Sequence, residues 1–304
     1  MAEFPVAKGD RVPFVLTWFA SYEPPPRKIN PEHALEQTEQ FWNEWSHRCT
    51  LRGPWRDAVV RSLLTLKGLT YAPTGCIVAA ATTSLPEEIG GVRNWDYRFC
   101  WLRDATFTLF ALLGAGYKEE AAAWREWLLG AIAGSASQLQ IMYAVRGERR
   151  LIEHELSWLE GYEGSRPVRE GNAAAKQFQL DVYGEVVDAM YQAQRAGIKI
   201  SEPDWRVQVE LLDFLESKWS KPDEGIWEVR GDPQQFTHSK VMAWVAFDRA
   251  VKLVAHHGCG GNDHLERWKG LRDQIHREVS KKAITRRKKP LLRPTVPRQW
   301  MRVC

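Results

Sequence analysis

Apolar residues recur at helical spacing along most of the chain, and three long polar-aromatic segments interrupt the pattern. Pro31 opens the first helix: Asn30 stands at its cap, Glu32 at its positive end, and Leu35, Phe41, Trp42 and Trp45 form a rough apolar face. A second helix starts at Pro54, where Trp55, Val59, Leu63 and Leu66 follow the same period. The periodicity then predicts helices over 105–113, 118–133, 173–196, 203–219, 237–257 and 263–280. Between them lie loops at 72–93, 134–171 and 223–231, of a length that usually marks function. Short turns alternate with these long loops. Helical hairpins joined in that way bring the long loops to one rim, where a helical barrel builds its cleft.

Ahead of the helices, residues 12–19 (Val-Pro-Phe-Val-Leu-Thr-Trp-Phe) read as a strand of β-formers, and Pro24-Pro25-Pro26 as a stiff spacer. A lone strand needs a partner, either another strand or the helical body. The expected class is therefore all-α with one N-terminal strand. Four segments follow: a strand and Pro-rich linker at 1–30, a linker helix at 31–53, a helical domain at 54–280 and a basic, disordered tail at 281–304.

Composition narrows the setting. No apolar run is long enough to cross a bilayer, so a membrane partner is not expected. The five cysteines are odd in number and scattered, with no Cys-x-x-Cys pair, which argues against a disulfide framework or structural zinc. With no signal-peptide pattern at the N-terminus, the expected compartment is the cytoplasm. Nine of the 42 basic residues and none of the 38 acidic ones fall in 281–304, leaving the first 280 residues at −5. A basic tail attracts phosphates, but an acidic body without a nucleic-acid-binding fold speaks against that partner.

The candidate chemistry sits in the interruptions. The run Asn94-Trp95-Asp96-Tyr97-Arg98-Phe99-Cys100-Trp101-Leu102-Arg103-Asp104 carries four rings among arginines and aspartates. Flat rings cover the C–H face of a sugar, and Arg and Asp fix its hydroxyls, so the run reads as the floor of a polar pocket. Arg103 and Asp104 equally suit an ion pair at a helix start. Glu228 follows Trp227 in a Gly-bounded loop near Arg230; a carboxyl against an indole is desolvated and suits a general acid, whereas one bonded to Arg230 is a surface pair. Arg166, between Ser165 and Pro167, clamps a substrate oxygen or a nearby carboxylate. His256, His257 and His264 read as a solvated helix end more than as metal ligands, because adjacent helical residues point apart. Gly258-Cys259-Gly260-Gly261 lacks the strand and the Lys-Ser/Thr of a phosphate loop.

Taken together, three of these segments resemble glycoside hydrolase family 15, the glucoamylase, glucodextranase and bacterial-type trehalase group. The segments are Asn94–Ala105, Gly164–Asn172 and Gly225–Gly231, and the likeness runs from about residue 12 to 280. It implies an (α/α)6 barrel, here with about seven of twelve helices, preceded by a β-sandwich of which 12–22 would be the last strand. It also implies hydrolysis of α-glucosidic bonds, in trehalose or at α-glucan ends, with inversion and without metal or organic cofactor. By the same resemblance Glu228 is the general acid, Tyr97, Trp101, Arg103 and Asp104 hold the glucose, and Arg166 and Trp227 face the substrate. By the resemblance, the family's general base lies near the C-terminal end of the twelve-helix barrel. The expectation is thus a middle segment that carries the floor and the acid but lacks the base, with a sugar-binding or partner-binding remnant without catalysis as the alternative.

Overall fold

The computed structural model describes residues 3–132, 134, 136–258 and 264–286. Two compact units divide at Leu64–Thr65. In the first, α1 (Pro31–His47) begins as its sequence dictates, with the Asn30 side chain accepting the His33 N–H at 3.1 Å and Pro31 supplying a fixed φ where no donor is needed. No strand forms over residues 12–19. Leu16 and Trp18 are 101% and 87% exposed, and no chain segment offers the ladder that β-propensity alone cannot supply. The helix α2 (Arg56–Gly68) begins in this unit and ends in the next.

The second unit is built from α3 (Leu102–Gly114), α4 (Lys118–Ala131), α5 (Asp181–Arg195), α6 (Glu202–Lys218), α7 (Thr237–His257) and α8 (Leu265–Arg286). Helices two apart in sequence are neighbours: α5 packs on α3 and on α7, while α4 and α8 pack on α3 and α7, the helices that precede them. This is the two-layer wrapping of an incomplete helical barrel. Among the described residues seven helices follow residue 54, as the periodicity predicts.

Burial follows the layers. In α5 the residues from Asp181 to Val187 are all buried, so the helix has no solvent face over its first two turns. In α7, Ala243, Ala246, Phe247, Ala250 and Leu253 are fully buried. Small side chains there let the α5 backbone approach closely. Gly184 takes part in that approach, since a Cβ at that position would stand 2.3 Å from the Met242 carbonyl oxygen. By contrast α8 buries Trp268 and Ile275, one stripe seven residues apart, on an otherwise polar helix.

Three two-stranded antiparallel ladders stitch the long loops: β1 (Thr70–Tyr71) with β2 (Cys76–Ile77), β3 (Cys100–Trp101) with β4 (Met142–Tyr143), and β5 (His154–Glu155) with β6 (Arg169–Glu170). Several boundaries differ from the sequence expectation. The 173–196 helix is a short 3-10 turn at Ala173–Lys176, a break, and then α5 from Asp181. The break exists because Phe178 and Leu180 donate their N–H groups to Glu224 and Asp223, carboxylates of another loop. Likewise α3 begins at Leu102, so Asp104 lies inside its first turn. Helix α8 runs on to Arg286, so the tail's first residues are helical; residues 287–304, Ala133, Asp263, Cys259, Cys304 and the Cys-Gly-Gly part of the 258–261 run lie outside the described residues.

If Gly184 is what lets α5 meet α7, Gly184→Ala will lower the urea midpoint by an amount equivalent to ~1–3 kcal/mol. Gly114→Ala, where a Cβ meets nothing within 4 Å, serves as the control and should not lower it. Equal midpoints for parent and Gly184→Ala would refute the close crossing.

Candidate active site

The three long loops end at the N-termini of α3, α5 and α7, and they meet there. None of these helices is capped by the residue before it, since Trp101, Leu180 and Phe236 carry no capping group. The caps come from elsewhere. Asp223 accepts the Leu180 N–H at 3.0 Å and the Ser239 hydroxyl at 2.7 Å, so one buried carboxylate ties the start of α5 to the first turn of α7.

From Asp223 the chain turns through Gly225 to Glu228. Gly225 has φ +67°, and a Cβ there would strike the Phe236 ring at 2.5 Å, so only glycine fits. Glu228 itself adopts φ +52°, a left-handed conformation that a non-glycine residue rarely holds. Neighbouring backbone groups on both sides keep it there: Arg103 Nη1 donates to the Ile226 carbonyl at 2.9 Å and Gln177 Nε2 to the Val229 carbonyl at 3.2 Å. The result places the Glu228 carboxyl at the indole of Trp101, whose Nε1–H donates to Oε1 at 2.6 Å. Arg103 Nη2 stands 3.9 Å from the same oxygen and 3.3 Å from Asp104 Oδ2.

Burial is the main influence on this carboxyl and raises its pKa above the ordinary glutamate range; Asp104 adds to the rise. The Trp101 hydrogen bond, then Arg103 and Arg230, act in the opposite sense. With one oxygen held by the indole donor, the other can carry the proton. The Tyr97 ring lies 5.7 Å from that of Trp101. Burial first, then Glu87, Glu228 and Asp104, push the Tyr97 phenol up to about 12, so it keeps its proton and can donate.

The rest of the 94–104 run serves to bind loops together. Asp96, fully buried, accepts both Nε and Nη2 of Arg98 and the Gly171 N–H. Asn94 donates to the Gly91 and Pro167 carbonyls. A run that reads as one pocket floor is thus divided: Tyr97, Trp101, Arg103 and Asp104 gather at Glu228, while Asn94, Asp96 and Arg98 hold the loops beneath.

Two of the expected residues are not joined to that set. The Arg166 guanidinium is more than half exposed and 3.9 Å from Glu160. Trp227 is 85% exposed, because the left-handed turn at Glu228 sends consecutive side chains apart. The indole against Glu228 is Trp101, 127 residues earlier in the chain. Sequence reasoning also missed Asp181 and Glu185, one turn apart on α5. Both are buried, and both Asp181 oxygens and Glu185 Oε1 lack a hydrogen-bond partner. Burial first, then Asp181, push Glu185 up to about 8. The available signal was two carboxylates four apart in a segment otherwise apolar on every side. Among the described residues no group of three or more His, Cys, Asp or Glu is arranged to hold a metal. His264 stacks on Trp268 at 5.0 Å.

Paired helices wrapped in two layers define the scaffold as an incomplete helical barrel. Two solved structures, single-substitution forms of a protein titled Glycosidase, share the fold at TM-scores of 0.54 and 0.55, with 16% and 15% identity over 74% of this chain and 56% of theirs. The family profile described as Glycosyl hydrolases family 15 matches residues 53–300, and the chain belongs to that family. It is 40% identical over 284 residues to a Trehalase of Mycobacterium tuberculosis and 41% identical over 289 residues to a Trehalase of Mycolicibacterium smegmatis. It is also 45% identical over 227 residues to Trehalase 1 of Sulfolobus acidocaldarius. These alignments take in 92%, 93% and 73% of this chain, but the chain spans only 41%, 42% and 39% of those relatives.

The opposition between burial and the indole donor gives a signed expectation. In Trp101→Phe the donor that favours the ionised carboxylate is lost while the apolar surroundings stay, so the Glu228 titration midpoint should rise. Carboxyl-region infrared titration of the variant against its Glu228→Gln double mutant will read it. A lower midpoint in Trp101→Phe would show that the donor does not act on this carboxyl.

Proposed function

We propose that the chain takes part in hydrolysis of α-glucosidic bonds, with trehalose as substrate, and that Glu228 is the general acid. The observation that carries this reading is the Glu228 carboxyl held against the Trp101 N–H in surroundings that raise its pKa. A general acid must carry its proton near working pH and give it up only to the developing leaving oxygen. Glu228 meets the first condition by burial and the second by leaving one oxygen unclaimed by Trp101.

Around it, the half-buried Tyr97 offers a ring face on which a pyranose rests, the buried Trp101 gives its N–H to Glu228, and Arg103 and Asp104 offer directed groups for the sugar hydroxyls. Arg166 and Trp227, both exposed, belong in this reading to the outer part of the substrate site. Trehalose is favoured over starch-like substrates because the relatives at 40–41% identity carry the name Trehalase. The reaction we infer is inverting: acid and base carboxyls stand roughly 6.5–9.5 Å apart so that water fits on the far face of the sugar. We assign the base to no residue in 54–280, the segment we take as the catalytic domain. The setting we infer is the cytoplasm, consistent with free, buried Cys49, Cys76 and Cys100.

Glucose release from trehalose, followed with purified chain, should fall by ~10²–10⁴-fold in Glu228→Gln. Because the acid works protonated, the parent's kcat/KM should decline as pH rises through the raised Glu228 pKa, and NMR of the fresh products should show one β-glucose and one α-glucose from each trehalose. Undiminished release in Glu228→Gln would refute the acid. Sugar binding by calorimetry without any turnover would favour a binding role instead.

A further inference from the structure

The acid loop is also fastened at a point beyond Glu228 that the fold alone does not require. Arg230, two residues on, places its guanidinium carbon 4.7 Å from the centre of the Trp95 ring. Arg169, from β6, places its own 4.6 Å from the same ring. Two cations on one indole repel each other, and Glu153 stands where that repulsion needs relief. Its Oε1 lies 3.7 Å from Arg169 Nε and its Oε2 3.5 Å from Arg230 Nη2. The same Oε2 accepts the Ala173 N–H at 3.0 Å, and Glu155 holds Arg169 Nη2 at 3.2 Å.

The backbone that carries the shared ring is held as well. Ser84, buried at φ +59°, donates its N–H to the Trp95 carbonyl at 2.9 Å. Its hydroxyl oxygen lies 2.9 Å from the Arg169 carbonyl and 2.7 Å from the Arg169 N–H that it accepts. Trp95 is followed directly by Asp96, which accepts the Gly171 N–H. Segments from all three long loops therefore converge on Trp95, with Arg230 its charged partner from the acid loop.

We propose that Trp95, with Arg230 stacked on it and Glu153 bridging Arg230 to Arg169, is a positioning element that aims the Glu228 carboxyl at the Trp101 indole. The physical case rests on strain and leverage. A left-handed glutamate is held only if its surroundings over-determine it. Arg103 and Gln177 hold carbonyls on either side of Glu228, and the stack holds the outgoing side chain. A planar guanidinium on an aromatic face tolerates little rotation, which a lysine ammonium would not reproduce. The proposal rests on Glu228 being the acid only for its catalytic consequence; the placement can be read without turnover.

Indole ¹⁵N-labelled chain supplies that reading, with the Trp101 N–H resonance assigned by its loss in Trp101→Phe. In Arg230→Lys, which keeps the charge, and in Trp95→Leu, which keeps neutrality, the Trp101 resonance should move upfield toward a free indole. In Trp95→Phe, where a ring remains, it should stay. Where trehalose is turned over, Arg230→Lys should lower kcat by up to ~10²-fold with KM retained, as a displaced catalytic group does. An unmoved Trp101 resonance in Arg230→Lys overturns the proposal, and this half-exposed position (45%) decides even if Trp95→Leu does not fold. A Trp101 signal that follows the stack, with turnover undiminished in Glu228→Gln, refutes the proposed function alone. Turnover lost in Glu228→Gln with a Trp101 signal indifferent to the stack refutes the positioning element alone.

Discussion

One hydrogen bond, from the Trp101 indole to the Glu228 carboxyl across 127 residues of sequence, is the constraint around which the loop rim is arranged. It joins β3 at the entry of α3 to the turn before α7. Its geometry demands a left-handed Glu228, a Gly225 pressed on Phe236, and an Arg103 that spans to the Ile226 carbonyl. A buried carboxyl without such partners would be costly, and a fully exposed one would have an ordinary pKa. The site lies between these limits.

The barrel arc explains how the loops come to meet. Helices α3, α5 and α7 are each entered from a long loop and left through a short turn or the left-handed Gly258. Their entry ends lack local caps, so carboxylates from other loops satisfy them, as Asp223 does for Leu180. The missing caps thus become ties between loops. Asp181 and Glu185 lie beneath this junction, and burial raises the pKa of both. Each can be accommodated as a neutral acid, which spares the fold the cost of burying two charges.

Much of this was legible in the sequence. The seven helices from residue 54 followed from the 3.6-residue period; aromatic-polar runs in loops marked 94–104 and Glu228 separately, and it was the resemblance to glycoside hydrolase family 15 that grouped Tyr97, Trp101, Arg103 and Asp104 with Glu228. What was not legible has a common cause: it depends on partners far away in sequence. The strand at 12–19 was read from β-propensity, which no ladder here supports. The start of α5 was misplaced because Glu224 and Asp223 take the Phe178 and Leu180 N–H groups. Trp227 was taken as the indole beside Glu228 because adjacency is all that a sequence displays, whereas backbone handedness decides the partner. Trp95 looked like part of a sugar-binding floor, since nothing local separates a ring that stacks on arginine from one that stacks on a pyranose.

The account depends on Glu228 being a desolvated carboxyl in contact with Trp101, and its titration tests that most directly. Carboxyl-region infrared difference spectra between the parent and Glu228→Gln, taken across pH, isolate this single group. The account predicts a midpoint above that of an exposed glutamate. A midpoint at or below that value would mean that the donors around Glu228 outweigh its burial, and that it stands ionised where an acid is needed.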